Sequence, residues 1–252
     1  MNATSKCPYH ECDGSGITWI QNTQTLESKA KYCKCREERI HDIRIQFANI
    51  PQEFESLTVK SFNTEIYTKK EDKNKAIAAK KITVNYIKDF QDFESKGKGL
   101  YYYSKTKGSG KTRLALSLGN ALLNSKSRQV RFITTSDLLR EIKSTYNKNS
   151  EYTESQLVDA IGNVNVLIID DIGVEKLTDW VNEMLDSIFD TRMKHNKITI
   201  FTSNCSMEEL KHDERLKSRI FKMTIPVKMP EEDIRIKQSK QENKELQNIL
   251  LK

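Results

Sequence analysis

The sequence predicts an α/β fold in which a five-stranded parallel sheet is flanked by helices and preceded by a small cysteine-rich module. Beyond residue 47, apolar runs of strand length alternate with amphipathic runs of helix length. A glycine-rich GSGKT stretch joins the first of these strands to a helix, and four of the five cysteines lie within the first 35 residues. Such alternation is typical of a parallel sheet that is covered on both faces.

The composition fits one large domain with a small appendage. The chain has 252 residues, of which 37% are hydrophobic and 31% are charged, so a sizeable core can form. The strongly apolar run at 166–169 is far shorter than the ~20 residues that cross a bilayer, and the first residues lack a signal peptide's apolar stretch. We therefore expect a cytoplasmic protein with reduced thiols and no membrane partner. The net charge of +7 slightly favours a polyanionic partner.

Two domains are expected, residues 1–46 with the cysteines and residues 47–252 with the strands and helices. The first also contains a charged run with helical character, CREERIHDIRIQF. Pro51 biases Ile50 away from helical geometry, which favours a junction near this point.

The strands and helices of the second domain follow from its hydrophobic pattern. The predicted strands are Gly99–Ser104, Val130–Thr134, Val164–Asp170, Ile198–Thr202 and Met223–Val227. The predicted helices are Lys111–Asn124, a helix capped by Ser136 that runs to about Tyr146, and Thr178–Lys194. The second helix is expected to place Leu138, Leu139, Ile142 and Tyr146 on one face. After about Lys228 the sequence has room for one helix.

The stretch after the first strand has the residues of a phosphate-binding loop. Glycines let successive backbone N–H groups converge on an anion, a lysine reaches the β/γ-phosphates, and a hydroxyl binds Mg²⁺. The residues predicted to contact ATP are Lys107, Gly108, Ser109, Gly110, Lys111, Thr112 and Arg113. A basic turn before an ordinary helix is the alternative.

Lys105 departs from the G-x-x-x-x-G-K-[ST] pattern, because it stands where the first glycine is expected. That glycine supplies backbone freedom rather than a phosphate contact. A side chain there costs about 1 kcal/mol if φ is positive and little otherwise.

Acidic and polar residues end two further strands. Asp170 and Asp171 follow the apolar run at 166–169, which puts a carboxylate at the sheet edge where ligands of open α/β sheets bind. Asp170 would hold Mg²⁺ through water, and Asp171 would orient or deprotonate the attacking water. Asn204, after the Ile198–Thr202 strand, could bridge the γ-phosphate and that water. A helix-capping aspartate and an ordinary turn are the alternatives.

The paired cysteines predict a structural zinc site. Cys7, Cys12, Cys33 and Cys35 provide four thiolates, which satisfy tetrahedral Zn²⁺. The four-residue spacing within the first pair is looser than usual, so His10 could replace Cys12 as a ligand. A closed site of this kind stabilises a module too small to fold on its own core. Cys205 is expected to be a small buried hydrophobe.

Several stretches together resemble the DnaC/DnaI family of replicative-helicase loaders, which are AAA+ ATPases. They are ANIPQEFESLTVKSF, GSGKT, VLIIDDIGVEKLTDWVNEML, TIFTSN and ERLKSRI. The cysteine-rich start is also similar to that family, and the transposition helper IstB shares much of the core. The resemblance implies the strand order 5-1-4-3-2, an abbreviated lid, and slow, assembly-dependent ATP hydrolysis.

The resemblance also assigns roles and partners. It implies that Asn204 is a sensor and that Arg219, helped by Arg215, reaches the γ-phosphate of a neighbouring subunit in an ATP-dependent oligomer. Arg235 matches the family's second sensor arginine. The implied partners are a DnaB-type helicase, docked by the N-terminal module, and single-stranded DNA.

Single-stranded DNA is expected to contact the helix that follows Ser136. Arg140, Lys143 and Tyr146 would track phosphates and stack on bases, although an amphipathic helix with a solvated basic face is an equal alternative. Two other functions stay open at this point. One is an IstB-like transposition helper, and the other is a non-catalytic adaptor that binds a replication protein.

Overall fold

The computed structural model describes residues 7–13, 15–21, 28–36, 44, 47–147 and 153–250. The chain divides into two compact units, Met1–Phe47 and Ala48–Lys252. Most of the run CREERIHDIRIQF lies outside the described residues. Within the described part of the chain, no helix is long and apolar enough to cross a membrane.

The first unit contains an antiparallel hairpin. Strand β1 (Ile17–Gln21) pairs with β2 (Ser28–Tyr32), and Ile17 lies opposite Tyr32. The N–H of Cys33 donates to the Gly16 carbonyl at 2.9 Å, which closes the open end of the hairpin. Two cysteines precede β1 and two follow β2, so the pairing of these strands brings both ends of the cysteine pattern together.

The second unit is built on the predicted five-stranded sheet, which is parallel throughout. Its strands are β3 (Gly99–Tyr103), β4 (Val130–Thr134), β5 (Val166–Ile172), β6 (Ile198–Ser203) and β7 (Thr224–Lys228). They lie in the order β4-β5-β6-β3-β7. Counted from β3, this is the order 5-1-4-3-2, so the expected topology is confirmed.

Helices precede, connect and follow these strands. They are α1 (Gln52–Glu55), α2 (Lys70–Lys88), α3 (Phe90–Ser95), α4 (Lys111–Ser125), α5 (Thr135–Ser144), α6 (Glu154–Asn163), α7 (Asp179–Lys194), α8 (Glu214–Met223) and α9 (Ile234–Leu250). Among the described residues beyond β7, α9 is the one helix.

The core follows from the apolar strands in the middle of the sheet. The four residues of β5 from Val166 to Ile169 have no exposed surface, because helices cover both faces. Burial of one such side chain contributes about 1.5–3 kcal/mol. The strand therefore fixes the position of the two acids at its end.

Two details of α5 differ from the sequence prediction. The helix is capped by Thr134 rather than Ser136, since the Thr134 Oγ1 accepts the Asp137 N–H at 3.0 Å. Strand β4 thus runs into α5 without a loop. The helix ends at Ser144, so Tyr146 lies beyond it and is 60% exposed instead of joining the apolar face.

Candidate nucleotide-binding site

The loop between β3 and α4 has the backbone of an anion-binding turn. Gly108 and Gly110 have φ angles of +69° and +93°, values that favour glycine. A Cβ at Gly108 would lie 2.2 Å from the Asp233 Oδ1, and one at Gly110 would lie 2.9 Å from the Tyr67 hydroxyl. Both glycines are therefore required by conformation and by close neighbours.

Lys105 is accommodated at the start of the loop without a strained backbone. Its φ angle is not positive, so the missing glycine costs little at this position. The side chain is exposed, and its Nζ lies 2.5 Å from the Glu209 Oε1. An exposed pair of this kind contributes little to stability.

Glu231, from the segment after β7, supports the same part of the loop. Its carboxylate accepts the N–H groups of Lys105 at 3.3 Å and Thr106 at 3.0 Å. It also accepts the Ser104 hydroxyl at 3.0 Å. Two backbone donors at the start of the loop are thus satisfied by a side chain from more than a hundred residues further along the chain.

The lysine of the loop is held inside it. Lys111 is 5% exposed, and its Nζ donates to the Thr106 carbonyl at 2.8 Å and, more weakly, to the Ser104 carbonyl at 3.3 Å. Burial lowers the pKa of Lys111, while Asp171 acts in the opposite direction. An ammonium group bound to carbonyl oxygens can exchange them for phosphate oxygens of a nucleotide.

Asp170 joins the loop to the sheet edge. Its Oδ1 accepts the hydroxyls of Thr112 at 2.8 Å and Thr202 at 2.6 Å. Burial raises the pKa of Asp170, and the negative charge of Asp171 raises it further. The hydrogen bonds from the two hydroxyls lower this pKa but do not cancel the rise. The hydroxyl and carboxylate predicted to hold Mg²⁺ therefore lie in direct contact, at a buried point where a cation would favour the ionised acid.

Asp171 and Asn204 lie at neighbouring strand ends. Asp171 has a φ of +56°, at a register shift between β5 and β6, and its N–H donates to the Thr202 hydroxyl at 2.9 Å. Aspartate tolerates this left-handed conformation better than most residues. Asn204 follows β6 directly and is half-buried.

The start of α9 lies against the phosphate loop. The Ile234 N–H donates to the Gly108 carbonyl at 3.0 Å, and the Arg235 Cβ lies 3.1 Å from the position that a Cβ of Gly108 would take. Arg235 and Lys107 are exposed. Arg113 is half-buried and donates to the Ser61 carbonyl at 3.4 Å.

Arg219 is held by two carboxylates of its own chain. Its Nη1 donates to the Asp190 Oδ1 at 2.5 Å, and its Nε lies 2.6 Å from the Asp186 Oδ1 without hydrogen-bond alignment. The Arg219 side chain is 12% exposed, whereas that of Arg215 is 72% exposed and lies 3.2 Å from Asp186.

Two of the three predicted DNA-contacting residues form an aromatic and basic cluster with Trp180. The Lys143 Nζ lies 4.9 Å from the centre of the Trp180 ring, and the indole N–H donates to the Tyr146 hydroxyl at 2.8 Å. Arg140, in contrast, is paired with Asp137 at 2.6 Å. Trp180 comes from the start of α7, so sequence spacing alone does not reveal this contact.

The four N-terminal cysteines converge in the first unit. Their sulfur atoms all lie within 4.8 Å of one another. The Cys7–Cys33 and Cys12–Cys35 sulfur distances are 3.6 and 3.5 Å. Thiolates around tetrahedral zinc lie roughly 3.8 Å apart, so this arrangement fits the ion. Cys12 belongs to the cluster, whereas His10 is exposed and lies outside it. In the second unit, Cys205 is half-buried and its Sγ lies 3.3 Å from the Ser203 Oγ.

Comparisons with known proteins agree with this architecture. The model of the family described as IstB-like ATP binding protein matches residues 33–241. A replicative helicase loader DnaC from Buchnera aphidicola subsp. Baizongia pistaciae is 29% identical over 81% of this chain and 78% of its own length. The replicative helicase loader DnaI of Bacillus subtilis is 30% identical over 60% of this chain, and the match spans 51% of that relative.

Solved structures give the same result. The crystal structure of the DnaC helicase loader superposes with a TM-score of 0.56 and 26% identity, covering 68% of this chain and 98% of the other. The resemblance to DnaC and DnaI that the sequence motifs predict is thereby confirmed. With its parallel sheet and phosphate loop, the chain belongs to the family of IstB-like ATP-binding proteins.

Proposed function

We propose that the protein is an ATP-dependent loader of a DnaB-type replicative helicase onto single-stranded DNA. The observation that carries the proposal is the similarity to a replicative helicase loader DnaC over 81% of this chain. Supporting it, a phosphate loop, a buried acid and a polar strand end meet at one edge of the sheet.

ATP would bind along the phosphate loop. Lys111 would leave the carbonyls of Ser104 and Thr106 to bind the β/γ-phosphates, and Arg235 would approach from α9. Thr112 and Asp170 would hold Mg²⁺, the first directly and the second through water. The ion would neutralise charge on the phosphates during transfer.

Hydrolysis would use the acids and amide at the strand ends. Asp171 would orient or deprotonate the attacking water, and Asn204 would bridge that water and the γ-phosphate. Aspartate has a shorter reach than the glutamate common in AAA+ enzymes, which suits slow turnover. Arg219 would act on the ATP of a neighbouring subunit, because a cation supplied in trans stabilises the transition state and couples hydrolysis to assembly.

The cysteine module would bind zinc and dock the helicase. The cluster of Cys7, Cys12, Cys33 and Cys35 supports a closed structural site, in which the ion would stabilise the hairpin that leads into and out of it. The fold energy of so small a unit would then come largely from the metal.

Single-stranded DNA would lie across the cluster of Lys143, Tyr146 and Trp180. A base can stack on an exposed aromatic ring while a lysine binds the adjacent phosphate, at about 1–3 kcal/mol per stacked base. Arg140 would add a phosphate contact after leaving Asp137.

Capture experiments test this function. Immobilised protein should retain the replicative helicase encoded by the same genome in the presence of ATP, and release it after hydrolysis. A Lys111→Ala variant should lose the ATP effect. A Cys35→Ser variant should lose zinc and helicase but still bind ATP. Failure to retain helicase under any nucleotide condition would contradict the proposal.

The match to the IstB-like family favours a transposition helper as the second candidate. In that case the same immobilised protein would retain a transposase rather than a helicase. Retention of a replication protein by a chain that binds ATP without turnover would instead indicate a non-catalytic adaptor.

A further inference from the structure

We propose that Asp186 of α7, assisted by Asp190, is the positioning residue for Arg219 in the shared ATP site. This inference rests on the proposed function and names residues that the sequence motifs do not single out. It starts from an ion-pair network that joins α7 to α8.

The network has a matched spacing on the two helices. Asp186 and Asp190 are four residues apart on α7, and Arg215 and Arg219 are four residues apart on α8, so each pair lies on one side of its helix. Asp186 contacts both arginines. The two helices therefore meet through two acids that face two cations.

Arg219 is the central member of this network. Both of its carboxylate partners are partly shielded from solvent, Asp186 at 19% and Asp190 at 33% exposure. Burial opposes the charge of Arg219, but Asp190 and Asp186 outweigh it and raise the arginine pKa. Lys194 and then Arg219 lower the pKa of Asp190 to about 2. Arg219 and Asp190 are thus ionised together near neutral pH.

The geometry leaves part of the guanidinium available. Nη1 uses one N–H on Asp190, and Nη2 makes a long contact of 3.5 Å to the Asp186 Oδ2. Each terminal nitrogen has a second N–H, which these two contacts do not use. Guanidinium N–H donors of this kind match a phosphate group.

The position of α8 is fixed by its N-terminal cap and by its buried side chains. Asp213 caps the helix by accepting the Leu216 N–H at 2.7 Å, and Leu216 and Ile220 are fully buried in the core. A rigid helix sets the Cα of Arg219, and the ion pair with Asp186 together with the hydrogen bond to Asp190 sets the direction of its side chain. A misplaced catalytic group can cost about 100-fold in rate.

The test uses Asp186→Asn, which keeps the shape but removes the charge. We expect turnover per subunit to fall by about 100-fold, while Mg·ATP affinity stays within about twofold of wild type, because the phosphate loop is untouched. Glu183→Gln is the matched control, since Glu183 is an exposed acid on the same helix. Wild-type turnover in Asp186→Asn would overturn the assignment.

Mixed assemblies separate positioning from general damage. Asp186→Asn subunits keep their own ATP site but would donate a misplaced arginine, whereas Asp171→Asn subunits would bind ATP and donate an intact Arg219. Mixing the two should restore turnover, and mixing Asp186→Asn with Arg219→Ala should not.

The experiments distinguish failure of the Asp186 role from failure of the shared ATP site. If the mixture of Asp186→Asn and Asp171→Asn subunits does not recover ATP turnover, the positioning role of Asp186 is overturned. The proposed loader function is not affected by that result. Wild-type protein without concentration-dependent turnover would overturn the shared site and, with it, the positioning role.

Discussion

At the scale of single residues, the loop start shows how a missing glycine is tolerated. Lys105 avoids a positive φ, and the carboxylate of Glu231 accepts the N–H groups of Lys105 and Thr106. A distant acid therefore supplies the local order that a glycine turn would otherwise provide.

Glu231→Ala should weaken Mg·ATP binding by about tenfold, measured by calorimetry. The substitution removes the hydrogen bonds that Glu231 accepts from two backbone N–H groups, and each such hydrogen bond contributes about 0.5–1.5 kcal/mol. Glu231→Gln keeps a carbonyl oxygen and should lose less. Glu209→Gln is the control, because the Glu209 carboxylate contacts the exposed Lys105 side chain and the Ser206 N–H, which are not the backbone donors that Glu231 accepts. Equal affinities for Glu231→Ala and Glu209→Gln would contradict this role.

The sequence indicates some of these residues and not others for a physical reason. Lys111, Thr112 and Asp170 belong to short motifs whose chemistry is local, so their types and spacing mark them as candidates. Glu231 and Trp180 act through contacts between distant parts of the chain, and no local pattern marks them.

At the scale of elements, the hydrophobic pattern predicts the positions of the strands and helices closely. It does not predict their ends, because these depend on hydrogen bonds of polar groups. Strand β5 continues through both acids to Ile172, two residues beyond its predicted end. The predicted strand ends at Asp170 and leaves out Asp171 and Ile172, because the pairing with β6 resumes at Ile172 only after a register shift.

A buried arginine of α7 also contacts the end of α6 and the start of β6. Arg192 has no exposed surface and donates to the Thr199 hydroxyl and to the carbonyls of Ile161, Val164 and Ile198. Burial lowers its pKa to about 9. It thus satisfies carbonyls where α6 ends and β6 begins, a role that a charged residue in a helix pattern does not reveal.

Thr134→Ala should lower the free energy of unfolding by about 1 kcal/mol, because it removes the cap of α5. Ser136→Ala should change it by less than about 0.5 kcal/mol, since Ser136 is exposed within the first turn. Urea denaturation of both variants at one pH compares them directly. A larger loss for Ser136→Ala would show that the helix begins where the sequence pattern alone would place it.

At the scale of the whole molecule, the topology of the sheet in the second unit brings the candidate site residues together at one edge. The carboxyl ends of β3, β5 and β6 meet at one edge because these strands are parallel neighbours, so the motifs after each strand converge. This convergence is predictable from the alternation of strands and helices. The pairing of α7 with α8 through Asp186 is not, because it depends on how two helices turn about their axes.

The central claim is that the loop from Ser104 to Thr112 binds a triphosphate although Lys105 replaces its first glycine. Calorimetric titration of the purified protein with Mg·ATP tests this most directly, with Lys111→Ala as the control. We predict saturable heat for the wild type, the same for Asp171→Asn, and none for Lys111→Ala. A wild-type titration without heat or saturation would contradict the account.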